Sequence, residues 1–128
     1  MIYLSPGQVL FIHARVVSVT GGSHGVRDLG LLESAVARPH AAFEGKEFYP
    51  EEFSKAAALM ESLLKDHPFA DGNKRTAFAS AGVFLRLNGW RLTASAGDVV
   101  AQTMRVAINE ISLDDVAVWL RSNSVRLK

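Results

Sequence analysis

The chain has 128 residues and is 48% hydrophobic, which suits one compact domain covering residues 1–128. Its 14 basic and 13 acidic residues leave a formal net charge of +1, too little to attract nucleic acid or an anionic membrane, so neither is an expected partner. The absence of cysteine excludes disulfides and thiolate chemistry, and the lack of a signal-peptide or membrane-spanning pattern indicates a cytoplasmic protein.

The first 50 residues carry capping signals that predict two helices and an alternating pattern that predicts a hairpin. Ser5, followed by a proline and then by Gln8, has the pattern of an N-cap with a capping box, and the helical spacing continues to about Gly21. Asp28 is a good N-cap for a second helix, which Pro39 should stop. Alternating apolar and charged residues at 41–49 then predict a short β-hairpin flap, which needs docking to be stable.

Four more helices are predicted in the remainder of the chain. The third should end at residues 67–68, because a proline disfavours helical backbone angles in the residue before it. Residues 75–87 are small or apolar on nearly every side, which predicts the buried central helix. Ser95 and Ser112 are N-caps of the last two helices, and the chain from Ser122 is expected to fray. The predicted fold is all-α: a compact bundle of about six helices around a buried central helix, with the flap as its β element.

Residues 67–76 hold the side chains that suit phosphate chemistry. Gly72 allows a tight loop that brings backbone N–H groups close to a ligand. The next helix should begin near Asn73, so its free N–H groups and its dipole present positive charge to an anion. Lys74 and Arg75 add two formal cations beside it. The segment therefore predicts a phosphate site.

Asp71 and His67 add a metal ligand and a base. A carboxylate repels a bare phosphate but becomes useful when Mg²⁺ bridges the two, so we expect a Mg²⁺–nucleotide. An imidazole can accept a proton from a hydroxyl, so His67 is the candidate general base. Asp71 and Asn73 could also act simply as helix caps. Neither a Walker A loop nor a structural zinc site fits the segment, and His13, on an apolar stripe, is predicted to be a hydrogen-bonded core histidine.

The segment HPFADGNKR, residues 67–75, resembles the Fic/Doc family signature H-P-F-x-[D/E]-G-N-[G/K]-R at every defined position. Residues 25–35 are also similar to the element that precedes the flap in Doc-like members. Fic enzymes that transfer AMP have glycine where this chain has Lys74, and a second arginine where it has Phe78. A lysine should crowd the pocket for the distal phosphates, and the missing arginine removes a phosphate clamp, so both positions are similar to the Doc branch.

The Doc resemblance implies a toxin of a type II toxin–antitoxin pair, with the activity of a protein Ser/Thr kinase. Such an enzyme binds ATP with Mg²⁺, transfers the γ-phosphate to a threonine of elongation factor Tu, and stops translation. The resemblance also implies roles for individual residues: His67 as base, Asp71 as Mg²⁺ ligand, Gly72, Asn73, Lys74 and Arg75 as phosphate contacts, Phe69 as core anchor, and Gly45, Lys46, Glu47 and Phe48 as the flap that positions the target.

Control is expected to come from a separate partner. The self-inhibitory motif [S/T]-x-x-x-E-[G/N] of many Fic proteins does not occur in the sequence. The resemblance instead implies a Phd-like antitoxin whose disordered tail folds onto the toxin. Two alternatives remain open at this stage: a Fic-type protein adenylyltransferase, and a catalytically silent module that only binds a partner.

Overall fold

A computed structural model describes residues 1–127, which fold into six α-helices and two small antiparallel sheets. No helix in this part of the chain combines the length and the apolar character needed to cross a membrane. The helices are α1 Pro6–Thr20, α2 Leu29–Ala37, α3 Glu52–Asp66, α4 Asn73–Leu87, α5 Ala96–Ala107 and α6 Leu113–Ser122. A single 3₁₀ turn, Arg38–His40, follows α2, and the strands are β1 Ala42–Phe43, β2 Lys46–Glu47, β3 Trp90–Leu92 and β4 Ser124–Arg126.

The predicted N-caps hold four of these helices. Ser5, Asp28, Ser95 and Ser112 each accept a hydrogen bond from a backbone N–H in the first turn, at 3.0 to 3.2 Å. Each cap satisfies one of the amides that a helix N-terminus leaves without a partner. Residues close together in the sequence therefore determine where these four helices begin, and the predicted positions are confirmed.

The buried central helix is α3, whereas the sequence pattern had pointed to α4. Every residue of α3 from position 53 to 64 is buried, and the helix packs against α2, α4, α5 and α6. Helix α4 uses small residues such as Ala77 and Ala81 to approach α3 closely, yet it leaves Val83 and Leu87 exposed. The pattern misled because an apolar residue on an outer helix face is common, so apolar character all round does not prove burial.

The predicted flap is present as a two-stranded hairpin. Ala42 lies opposite Glu47, Phe43 lies opposite Lys46, and the hairpin turns at Gly45, which has a φ of 80°. A hydrogen bond of 2.9 Å from the Phe48 N–H to the Ala41 carbonyl closes its base. The side chains of residues 42–48 are all exposed.

The chain after α6 forms a strand, so the prediction of a fraying tail was wrong. β4 runs antiparallel to β3, with Trp90 opposite Arg126 and Leu92 opposite Ser124. The Arg126 guanidinium also lies over the Trp90 ring, 5.0 Å from its centroid. Without β4, strand β3 would have unpaired backbone N–H and C=O groups, and the chain after α6 supplies their partners. The sequence of this tail by itself does not reveal that pairing.

The position of the central helix can be tested with two leucines. Leu59→Ala in α3 should lower the free energy of unfolding by about 2–5 kcal/mol, because it leaves a cavity in the core. Leu87→Ala in α4, where the side chain is 41% exposed, should cost about 1 kcal/mol or less. Urea unfolding followed by circular dichroism measures both, and equal losses would contradict the assignment of α3.

Candidate active site

The loop between α3 and α4, residues 67–72, is shaped by two residues with left-handed backbone angles. His67 caps the C-terminus of α3 with φ 49° and ψ 59°, as expected for a residue that cannot continue the helix into Pro68. Gly72 has φ 75° and ψ 18° and occupies the N-cap position of α4. The chain therefore reverses between two helix ends within six residues, and both ends face the same loop.

Asn73 fastens the loop to itself. Its side-chain Oδ1 accepts a hydrogen bond of 3.0 Å from the Phe69 N–H, and its Nδ2 donates one of 2.9 Å to the Phe69 carbonyl. Because both ends of the amide are used, the side chain of Asn73 shapes the loop. The predicted phosphate contact of Asn73 is left to its backbone N–H, in the first turn of α4.

Helix α1 forms the floor of the loop. Phe69, predicted as the core anchor, is buried and stacks on the His13 ring, with the ring centroids 3.8 Å apart and the planes 5° apart. His13 Nε2 lies 2.8 Å from the Asp71 carbonyl oxygen, which can only accept, so Nε2 carries the proton. His13 is thus the hydrogen-bonded core histidine that the sequence predicts. Its contact with the loop was not foreseen.

Arg27 holds the loop from the opposite side, and sequence reasoning missed it. Its side chain donates two hydrogen bonds of 2.6 Å, from Nε to the His67 carbonyl and from Nη2 to the Asp66 carbonyl. Its backbone N–H donates to the Pro68 carbonyl at 2.8 Å. The last carbonyls of a helix favour a cation. An arginine beside a helix N-cap, within residues 25–35, was the signal available in the sequence.

The carboxylate of Asp71 lies on the open side of the loop. Oδ1 accepts from the Gly72 N–H at 2.8 Å, and Oδ2 accepts a long hydrogen bond from the Ser23 N–H at 3.4 Å. Gly22 approaches so closely that a Cβ added there would lie 2.5 Å from Oδ2. Among residues 1–127 no three His, Cys, Asp or Glu side chains converge on a metal site. Asp71 alone offers a hard carboxylate oxygen, which suits Mg²⁺ shared with substrate phosphates.

These groups surround a cavity of about 440 Å³. Helix α4 has no side-chain hydrogen bond at its N-cap, so its first-turn amides remain available to a ligand. The exposed Lys74 and Arg75 contribute positive charge, although Arg75 also donates to the Thr20 hydroxyl at 3.3 Å. The cavity brings together most of the predicted site residues: its lining is His67, Ala70, Asp71, Gly72, Asn73, Lys74 and Arg75.

The predicted flap residues do not line this cavity. Gly45, Lys46, Glu47 and Phe48 belong to the separate hairpin, where all four are exposed. The structure therefore brings together the residues predicted to bind phosphate and to accept a proton, and these roles and target positioning by the flap stay predictions. Chemically, the cavity can hold a chain of phosphates beside one imidazole, whose ring has no hydrogen-bond partner within residues 1–127.

Comparison with known proteins gives this site a family. The model of the Fic/DOC family matches residues 3–85, which include α1 to α3, all but the last two residues of α4, and the whole cavity. Over 102 residues, 78% of each chain, the sequence is 46% identical to the toxin Doc of Mycolicibacterium smegmatis. Over 121 residues, 94% of each chain, it is 34% identical to the protein kinase Doc of Escherichia phage P1. The chain belongs to the Fic/Doc family, in its Doc-type branch.

Proposed function

We propose that this chain is a toxin with protein kinase activity, which transfers the γ-phosphate of ATP to a threonine of elongation factor Tu in the cytoplasm and so blocks translation. The carrying observation is the cavity in which an imidazole, a carboxylate, two cations and an uncapped helix N-terminus meet. Two relatives support the proposal by their names, one a toxin and the other a protein kinase.

The phosphates of ATP would bind at the N-terminus of α4. Its free amides and its dipole favour negative charge, and Lys74 and Arg75 add formal positive charge. Asp71 would hold Mg²⁺ that arrives with ATP, and the ion supplies neutralisation of the negative charge on the phosphates. The two hydrogen bonds between the Asn73 side chain and the Phe69 backbone hold the loop closed, so the α4 amides and Asp71 would be in position before the nucleotide binds.

His67 would take the proton from the attacking threonine hydroxyl. Its side chain is exposed at the cavity, while its backbone is held by the guanidinium of Arg27. A base must lie within hydrogen-bond reach of the proton that it accepts. Fixing the backbone of His67 restricts the positions that its imidazole can occupy relative to the substrate hydroxyl. The oxygen of the threonine then bonds to the γ-phosphorus, and ADP leaves.

Two positions favour γ-phosphate transfer over AMP transfer. Lys74 lines the phosphate cavity, where a glycine would leave more room for distal phosphates. Phe78 lines an apolar cavity between α1 and α4, so this position offers no cation to a phosphate. Both observations support the kinase over the adenylyltransferase.

The reaction and its base can be tested together. With purified elongation factor Tu and ATP labelled in parallel at the α- and γ-phosphate, we expect label from γ alone, located on a threonine by mass spectrometry. His67→Ala should slow transfer by about 100-fold or more because the general base is lost. His40→Ala, in the 3₁₀ turn, is the matched control and should retain the wild-type rate. Label from the α-phosphate would mean AMP transfer and would contradict the kinase.

The metal role of Asp71 has a readout that does not depend on activity. Asp71→Ala should raise the Kd for Mg²⁺–ATP about tenfold, equivalent to 1.4 kcal/mol, in isothermal titration calorimetry. In EDTA the same variant should bind ATP at least as tightly as the wild type does, because no metal contact can then be lost and the carboxylate that repels bare phosphate is gone. Asp114→Ala, in the first turn of α6, is the matched control. An unchanged Mg²⁺ dependence would remove Asp71 from the metal site.

We also propose that the cognate antitoxin covers an apolar groove between α1 and α4, the α1–α4 groove. Phe11 and Val19 are 66% and 81% exposed along α1, and Val83 lies on α4. Two cavities of about 450 and 400 Å³ lie along the groove. Such an exposed apolar surface is typical of an interaction site. Arg15 and Arg75 at its edge favour an acidic amphipathic helix, which a disordered antitoxin tail can form on binding.

A charge placed in the groove should release the toxin from its antitoxin. Phe11→Glu should weaken antitoxin binding about 30-fold or more, because loss of a buried interface anchor typically costs about 2 kcal/mol or more. Kinase activity without the antitoxin should be unchanged. Val118→Glu, equally exposed at 66% but on α6, should bind the antitoxin normally. Loss of antitoxin binding by Val118→Glu alone would move the interface to α6.

A further inference from the structure

A lysine lies inside the most buried helix of the fold. Lys55, in α3, is 1% exposed. Burying an ammonium group is costly unless its hydrogen bonds are satisfied. Lys55 Nζ donates to three acceptors: the Pro39 carbonyl at 3.2 Å, Glu47 Oε1 at 2.8 Å and the Tyr49 carbonyl. All three N–H bonds of the ammonium are therefore used.

These three acceptors share one feature, which is their position around the flap. Pro39 precedes the hairpin, Glu47 lies in its second strand, and Tyr49 follows it. One ammonium group thus joins both ends of the flap to α3. A hydrophobic residue at position 55 could fill the same space but could not make these bonds.

Arg38 provides a second link to the same end of the flap. Its Nε donates to the Tyr49 hydroxyl at 3.0 Å, and its Nη1 donates to Glu61 and to the Ser62 hydroxyl. Burial lowers the pKa of the Arg38 guanidinium, but its hydrogen bonds to Glu61 and Tyr49 outweigh this and raise the pKa above the usual arginine value. Tyr49 is therefore held at its hydroxyl by Arg38 and at its carbonyl by Lys55.

The flap has little else to fix its direction. Its strands are two residues each, and residues 42–48 are exposed. A hairpin of this size is not stable alone in water. Its orientation therefore depends on the contacts at its base, where Lys55 joins both ends of the flap to α3 and Arg38 joins one end.

We propose that Lys55 is a positioning residue for the protein substrate. It holds the flap at a fixed place relative to His67, which caps the same helix roughly 18 Å further along at 1.5 Å per residue. The inference rests on the proposed kinase function, because the flap matters only if a protein segment is presented to the base. Lys55 itself touches neither nucleotide nor reacting atoms.

Lys55→Met tests this role, because methionine fills the buried space without donating hydrogen bonds. Hydrogen exchange at the Phe48 amide, which closes the flap, should become about tenfold faster while exchange along α3 stays slow. The KM for elongation factor Tu should rise about tenfold, with kcat and the Kd for ATP unchanged. Lys65→Met, which replaces an exposed lysine of the same helix, is the matched control for flap exchange.

A gentler variant guards against a folding defect. Glu47→Ala removes only the flap side of the contact, at a side chain 46% exposed, and should change flap exchange in the same direction but less. Unchanged flap exchange in both variants, or a fall in kcat with KM constant, would overturn the role of Lys55. Flap exchange needs no substrate. A wild-type enzyme that fails to phosphorylate elongation factor Tu would therefore contradict the proposed target. The role of Lys55 in holding the flap would still be tested by hydrogen exchange at the Phe48 amide.

Discussion

The site depends on the pair of hydrogen bonds between the Asn73 amide and the backbone of Phe69. They close the loop on itself, so the chain can leave α3 at a left-handed His67 and enter α4 at a left-handed Gly72. Without this closure the first-turn amides of α4 would not face the loop. The geometry of the proposed phosphate site thus depends on one side chain that itself needs no contact with phosphate.

The closed loop is held by segments distant in sequence. His13 supports it from α1, and Arg27 fixes its beginning from the segment before α2. Phe69 lies between them, stacked on His13 and bridged to Val26. The family model, which ends at residue 85, covers all of these contacts, whereas α5 and α6 lie beyond it and pack against α3. The candidate catalytic groups and the two helices that complete the core, α5 and α6, are therefore separate parts of the chain.

Local chemistry explains which features the sequence could predict. Ser5, Asp28, Ser95 and Ser112 cap helices through a backbone N–H within the next turn, so their signals are complete in four residues. Most residues of the cavity were predictable for the same reason, since residues 67–75 are contiguous. The burial of α3 and the pairing of β4 depend on partners far away in sequence, and so do the contacts of Arg27. A periodic pattern shows that a helix has an apolar face but does not reveal what covers it.

Arg75 lies where the candidate active site meets the proposed antitoxin groove. Its side chain lines both the phosphate cavity and the cavity at the end of the α1–α4 groove. A partner helix in the groove with a carboxylate near this point would pair with Arg75 and withdraw a cation from the phosphates. Since no self-inhibitory motif occurs in the sequence, such a contact would let one binding event both cover the groove and disable the site. Neutralisation would then need no change in the loop itself, which the two Asn73 hydrogen bonds hold closed.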